Sequence, residues 1–351
     1  MDKHPVIVYA GGFWATNIGN AFYNLGLLHI LQKSNPQADI HLLSDQSGWF
    51  WQEGGKNPSN DLNYLQYIRP DFLVLAGPLI NRQFINIWEP TLKILFNKGV
   101  KLALLSVGCM QYDDDEKKVM GEFFSRYPPH ILISRDQYTY DNYKQFAIQA
   151  YSGICAAFFM PDAYKPVKTD LENYLVFNFD SITEPEFSIV SSQNNISNSL
   201  ELNGIQLQTK RKGKLNLGSR NYPTTLNGYK IVRTVHSCIP LFSLARTKLL
   251  FKKKNTFVSD IPFGYLNLYA NTQGTFSDRV HACVATLAYG NPAMLFSESP
   301  RSHLFDRLNL DEIRDRPVIL SKDKLDIEKE KEIDFLRTAF TQWRMMKDGK
   351  T

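Results

Sequence analysis

Two short stretches place anion-binding side chains where apolar runs end. In GTFSDRVHACVATLAYGNPAML (274–295), Arg279 and His281 stand two residues apart, where a short strand gives way to an apolar helix. In ILISRDQYTYDNY (131–143), Arg135 closes another strand and Asp136 follows as a helix N-cap. A guanidinium forks onto a carboxylate or phosphate, helix-end amides add donors, and an imidazole exchanges a proton near neutral pH. Residues two apart do not share a helix face, so Arg279 and His281 serve one ligand only by flanking the helix end. The expectation is that Arg279 clamps an anion while His281 acts as proton donor. Plainer roles compete: a capping histidine in a helix started by Ser277 or Asp278, and an Arg135–Asp136 surface ion pair. Arg233 and His236 in IVRTVHS, and Arg301 after SESP, repeat the placement and form a second rank.

Near the amino terminus, GGFWATNIGNAFYNLG (11–26) sets Gly11, Gly12 and Gly19 around Asn17 and Asn20. Asn side chains offer both donors and acceptors to hydroxyl groups, and glycines let a backbone approach a ligand. A tight strand-to-helix turn explains the first two glycines equally well. The segment carries neither G-x-G-x-x-G nor a Walker loop, which disfavours a dinucleotide cofactor. The acidic run DDDE (113–116) reads as a helix start, because acids favour the first turn. Cys109, Cys155, Cys238 and Cys283 lack C-x-x-C spacing and the seven histidines form no cluster, so no metal site and no cofactor are expected.

These residues need strand ends to hold them. VIVYAGG (6–12), ADIHLL (38–43), DFLVLAGP (71–78), VKLALLSVG (100–108) and ILISRD (131–136) read as strands alternating with helices, the second of which carries Pro90 as an early boundary or kink. The alternation pauses at the polar, proline-containing 161–173. It resumes with YLVFNF (174–179), YKIVRTVH (229–236), a helix in LFSLARTKLLF, a strand in NTFVSD and the 274–295 unit. The Ser- and Asn-rich 181–204 reads as an irregular excursion. Continuously apolar strands alternating with helices predict parallel sheets covered on both faces. The fold expected is α/β: two Rossmann-like domains, 1–165 and 166–351, facing across a cleft. A C-terminal amphipathic helix with Ile333, Leu336, Phe340 and Trp343 on its buried stripe crosses back to the first domain. Ligands of such sheets bind at the carboxyl ends of the strands, which makes 11–20, 77–82, 108–112, 134–137, 233–237 and 277–281 the expected site loops.

The charge distribution narrows the partners. The chain of 351 residues carries +5 overall, yet residues 202–259 hold twelve Lys and Arg and no acid, while the other bases are outnumbered by the 35 acids. Such a block suggests an anionic partner. KRKGK (210–214) and ARTKLLFKKK (245–254) mix cations with apolar residues, as a peripheral membrane contact or a lipid-diphosphate acceptor requires, and a solvated basic face fits equally. No apolar run approaches the ~20 residues that span a bilayer. The opening MDKHPVIVYAGGF has no signal-peptide core, so a cytoplasmic protein, at the inner face of the membrane if lipid is engaged, is expected. Nucleic acid is not expected, since no reader motif occurs.

Strand-S-D-R-x-H-A followed by an apolar helix, G-x-P and a strand resembles the polysaccharide pyruvyl transferase family. In that comparison GGFWATNIGNAFYNLG is similar to the family's N-x-G-D segment, ISRDQYTYD to its R-D element, and MPDAY to its D-P-A-F turn, in family order over roughly 10 to 300. Departures are Asn20 for an acid, AGPLI for a glycine triplet and SVGCMQ for a G-x-G-x-x-P-like corner. The resemblance implies a GT-B-like fold and transfer of a pyruvyl group from phosphoenolpyruvate to a sugar of a cell-surface polysaccharide, exopolysaccharide or capsular, or of its lipid-linked precursor, closing a cyclic ketal. It implies that Arg135, Arg279 and His281 hold the donor, with Asn17, Gly19, Asn20 and Gly77 on the acceptor side. Competing readings are a glycosyltransferase of the same fold using a nucleotide sugar, and a non-catalytic anion- or membrane-binding scaffold.

Overall fold

The computed structural model describes residues 4–14, 17–45, 64–65, 67–189, 199–202, 205–210, 222–237, 253–347 and 349. Its first sheet takes β1 (Val6–Gly11), β2 (Asp39–Ser44), β3 (Phe72–Ile80), β4 (Lys101–Cys109), β5 (Ile131–Ser134) and β6 (Gln149–Ser152), all parallel, in the order β2-β1-β3-β4-β5-β6. The helices between them are α1 (Gly19–Ser34), α2 (Arg82–Asn97), α3 (Asp114–Arg126) and α4 (Gln137–Tyr143). Strands β3, β4 and β5 are almost wholly buried. That is why they read as unbroken apolar runs.

Helix α2 continues through Pro90, where the sequence suggested a boundary or kink. Phe84, Trp88, Leu92 and Leu95 form its buried stripe. Packing along that stripe outweighs the single backbone hydrogen bond a proline removes. In α3, Asp113 is the N-cap and accepts from the Glu116 amide at 2.7 Å. Glu116 itself is buried and accepts from the amides of Met110, Gln111 and Tyr112. The acidic run is thus a helix start, with one member turned inward to hold the preceding loop.

After α5 (Met160–Ala163) the chain enters the second sheet. It contains β7 (Tyr174–Asn178), β11 (Thr225–Leu226), β12 (Tyr229–Thr234), β13 (Thr256–Phe257), β14 (Thr275–Ser277) and β15 (Ala293–Leu295), in the order β11-β12-β7-β14-β15 with β13 also on β12. Only β11 runs antiparallel. Helices α6 (Phe263–Asn271) and α7 (Val280–Ala288) cover it. The excursion expected after β7 is not irregular: β8 (Glu186–Ile189), β9 (Ser199–Leu202) and β10 (Ile205–Lys210) form an antiparallel sheet in the order β8-β10-β9. Ser and Asn between the strands mask their apolar–polar alternation, EFSI, SLEL and IQLQTK. The helix expected in 241–251, Cys238, and most of KRKGK and ARTKLLFKKK lie outside the described residues.

The final helix α8 (Lys322–Lys347) returns to the first sheet. There Phe340 and Trp343 meet Phe72 edge-on at 5.1 and 4.8 Å between ring centroids. One apolar core accordingly runs from Tyr9, Phe22 and Phe72 through Phe158 to Tyr174, Tyr269 and Leu336. Helix α1 lies within it, against 156–159, α5, α7 and α8, which accounts for a helix apolar on nearly every side.

Candidate active site

Strand ends from both sheets surround one cavity of about 910 Å³. The loop after β1 contributes Asn17, Gly19 and Asn20, β3 contributes Pro78, and the residue after β5 is Arg135. From the second sheet come Ser181 and Thr183 after β7, His236 after β12, Asp278, Arg279 and His281 after β14, and Ser297, Glu298 and Arg301 after β15. Strand β1 lies where the order of the first sheet reverses, the place at which doubly wound sheets bind ligands. The halves are stitched at the cavity edge: the Ile18 amide donates to the His236 carbonyl at 2.8 Å, and Asn17 bridges Ser237.

Arg135 is 1% exposed, and its Nε and Nη2 have no hydrogen-bond partner among the described residues. The surface ion pair with Asp136 is not formed, because Asp136 caps α4 through the Thr139 amide at 2.8 Å and accepts from the Tyr112 hydroxyl at 3.0 Å. A Cβ at Gly108 would lie 2.6 Å from Arg135 Nε. The glycine of SVGCMQ therefore makes room for the guanidinium.

Neither Ser277 nor Asp278 caps α7; Arg279 is the N-cap residue, without a side-chain cap bond. Ser277 Oγ accepts from the Arg279 amide and donates to Asn178 Oδ1. The Asp278 carboxylate accepts from the amides of Asp180, Ser181 and Ile182 at 2.6–3.1 Å. Asp180 in turn accepts from the amides of His236 and Ser237. The two carboxylates thus fasten the strand-end loops to each other, leaving the amino end of α7 open to the cavity. Burial pushes Asp180 up to about 7, against the pull of Arg279.

Arg279 Nη1 donates to Ser181 Oγ at 3.2 Å, and its Nε is 3.9 Å from Asp180. Arg301 donates to Ser299 Oγ. Burial, with Arg135 and Arg279 close by, lowers Arg301 to about 10. Three guanidinium groups from three strand ends therefore share one wall, close enough for Arg135 and Arg279 to act on Arg301. His281, half-buried on that wall, is held well below the ordinary imidazole range by burial first, then by Arg135, Arg301, His236 and Arg279. Its Nε2 lies 3.8 Å from Cys155 Sγ.

Of the residues expected on the acceptor side, Asn17 donates to Asn20 Oδ1 at 3.3 Å and Asn20 donates to the Phe13 carbonyl at 2.8 Å. Gly77 is not part of the cavity lining. Its φ of +99° and a Cβ position 2.8 Å from the Tyr23 hydroxyl give the glycine a steric reason. Arg233 also lies outside the lining: fully buried, it forms a two-pronged pair with Glu184 at 2.8 and 2.7 Å and donates to the Pro223 carbonyl. His236 and Arg301 move to the first rank. Sequence reading omitted 179–183 and 296–298, although both directly follow apolar strands. No group of three metal-ligand side chains occurs among the described residues.

An α/β protein with an arginine-walled cavity where the strand ends of its two larger sheets meet fits transfer chemistry on an anionic substrate. The polysaccharide pyruvyl transferase family model matches residues 17–300, and the chain belongs to that family of transferases. No protein of curated function matches it. Among solved structures it is similar to the S. aureus MnaA–UDP co-structure, at 9% identity and a TM-score of 0.53 over 96% of this chain and 91% of that one. It is also similar to a UDP-N-acetylglucosamine 2-epimerase from Listeria monocytogenes, described as putative, at 10% identity and 0.51 over 95% and 91%. These likenesses concern the GT-B-like fold alone.

Proposed function

We propose that this transferase takes its pyruvyl group from phosphoenolpyruvate and places it on a sugar of a cell-surface polysaccharide or its lipid-linked precursor, as a ketal. The observation that carries the reading is the wall of Arg135, Arg279 and Arg301, whose clustered guanidinium groups suit a ligand bearing both a carboxylate and a phosphate. Arg135 and Arg279 divide those two groups, since bidentate contacts suit either. Anion binding opposes the cations that, after burial, lower the His281 pKa, and so raises it. His281 then protonates the methylene carbon of the enol, leaving an electrophilic carbon. One acceptor hydroxyl adds there and loses its proton. Phosphate departs with the electrons of its C–O bond, stabilised by the arginines. A second hydroxyl closes the ketal and releases the last proton. Asn17, Gly19 and Asn20 face the acceptor, and the reaction takes place at the inner face of the cell membrane, where a lipid-linked acceptor is available. His281→Ala tests the assignment: pyruvyl transfer is lost while calorimetric binding of phosphoenolpyruvate persists. Wild-type turnover in that variant would exclude His281 as the acid.

A further inference from the structure

His236 is 3% exposed and its Nδ1 has no hydrogen-bond partner among the described residues, although the residue lines the cavity. A Cβ at Gly19 would lie 3.4 Å from that nitrogen and 3.3 Å from His281 Cβ, so both histidines converge on the first residue of α1. The imidazole is boxed edge-on by Phe22, Tyr265 and Tyr269, at 5.4–5.7 Å between ring centroids. Its main chain is held from both halves, by Asp180 on its amide and Ile18 on its carbonyl. A group so fully positioned, with one polar atom left open, is prepared for a ligand.

We infer that His236 binds the anionic donor as a neutral imidazole, giving its Nδ1–H to a carboxylate or phosphate oxygen, and that Tyr269 sets the tautomer that makes this possible. The inference rests on the donor reading above. The Tyr269 hydroxyl is 2.5 Å from His236 Nε2 and 2.9 Å from Thr234 Oγ1. A ligand oxygen is an acceptor, so Nδ1 must carry the hydrogen and Nε2 must accept. Tyr269 then donates to Nε2, and Thr234 donates to Tyr269. The hydrogen bonds run one way, from Thr234 through Tyr269 and His236 to the ligand. Burial first, then Arg279, keeps this histidine uncharged, so it adds direction to the anion site without a fourth charge. Tyr269 is a positioning residue, acting through His236.

Long-range 15N–1H correlation of the imidazole nitrogens in the labelled, ligand-free protein tests this directly. The expected spectrum shows His236 neutral, with the hydrogen on Nδ1. In Tyr269→Phe the signal shifts towards the Nε2–H tautomer, and binding of phosphoenolpyruvate or inorganic phosphate weakens about tenfold, the worth of one such hydrogen bond. His236→Ala weakens binding as much, whereas His236→Asn, which keeps an N–H near the Nδ1 position, restores most of it. An Nε2–H tautomer in the wild type, or unchanged anion binding in both Tyr269→Phe and His236→Ala, would overturn the inference. Failure of the wild-type protein to bind phosphoenolpyruvate, with the tautomer as expected, would instead sink the donor reading.

Discussion

Burying the Arg135 Nε and Nη2 without hydrogen-bond partners among the described residues costs free energy. A residue kept under those terms is one whose partner arrives from solution, and this separates stability from function at a single position. Arg135→Met removes the unpaired buried charge while retaining an apolar side chain. We expect the free variant to be as stable as the wild type or more so, by about 1–3 kcal/mol, and to lose the rise in Tm that phosphoenolpyruvate gives the wild type. A large loss of stability would mean that Arg135 is structural. His281 makes a complementary prediction. Burial and its cationic neighbours depress its pKa in the empty site, and an anion acts in the opposite direction. Binding near pH 7 must then take up a proton, read as a binding enthalpy that varies with the ionisation enthalpy of the buffer. Activity should fall as the pH rises through the pKa of the liganded state. Binding without proton uptake would contradict the role given to His281.

At the scale of elements, α8 carries a buried carboxyl into the first half. Glu332 is 1% exposed, accepts from the Ile154 amide at 2.8 Å, and is pushed up to about 8 by burial. Its folded pKa is above the unfolded value, so its contribution to stability is complete below about pH 4.5 and is lost as the pH rises through about 8. Glu332→Gln keeps an acceptor for Ile154 and removes the titration. The variant should gain about 2–4 °C in Tm over the wild type near pH 9 and little near pH 5. An equal effect at both values would show that ionisation is not the cause. Elements also mark where sequence reading stops. Continuous apolar runs made β1, β3, β4, β5 and β7 legible, because both faces of each are covered. The β8–β10 sheet depends on pairing across gaps, and its alternation is diluted by Ser and Asn. IVRTVHS shows the same difficulty at residue level: Arg233 and His236 look equivalent at one strand end, yet Glu184, 49 residues away, takes the first. A partner supplied by tertiary structure has no local signature.

Across the whole molecule, α1 and α8 tie the two sheets into one core, and the cavity lies where their strand ends meet. Arg135 lies 144 residues before Arg279, yet it directly follows an apolar strand, and Arg279, His281 and Arg301 lie within a few residues of the ends of two others. The rule that ligands sit at strand carboxyl ends made them legible without any contact information. What that rule could not give was the division of labour, since Asp278 and Asp180 hold loops while the neighbouring arginines line the cavity. No helix among the described residues is long and apolar enough to cross a membrane. Contact of the basic 202–259 segment with lipid predicts co-sedimentation with anionic vesicles that weakens as salt rises and is absent with neutral ones. Salt-insensitive or absent binding would remove the membrane from the account. The central claim concerns the donor, and the most direct measurement is phosphate release coupled to mass analysis of the product. Purified protein is given phosphoenolpyruvate or nucleotide sugars, with a panel of lipid-linked and nitrophenyl sugar acceptors. The account predicts one phosphate released per acceptor pyruvylated, from phosphoenolpyruvate alone. A glycosylated product from a nucleotide sugar, with phosphoenolpyruvate untouched across the panel, would contradict it.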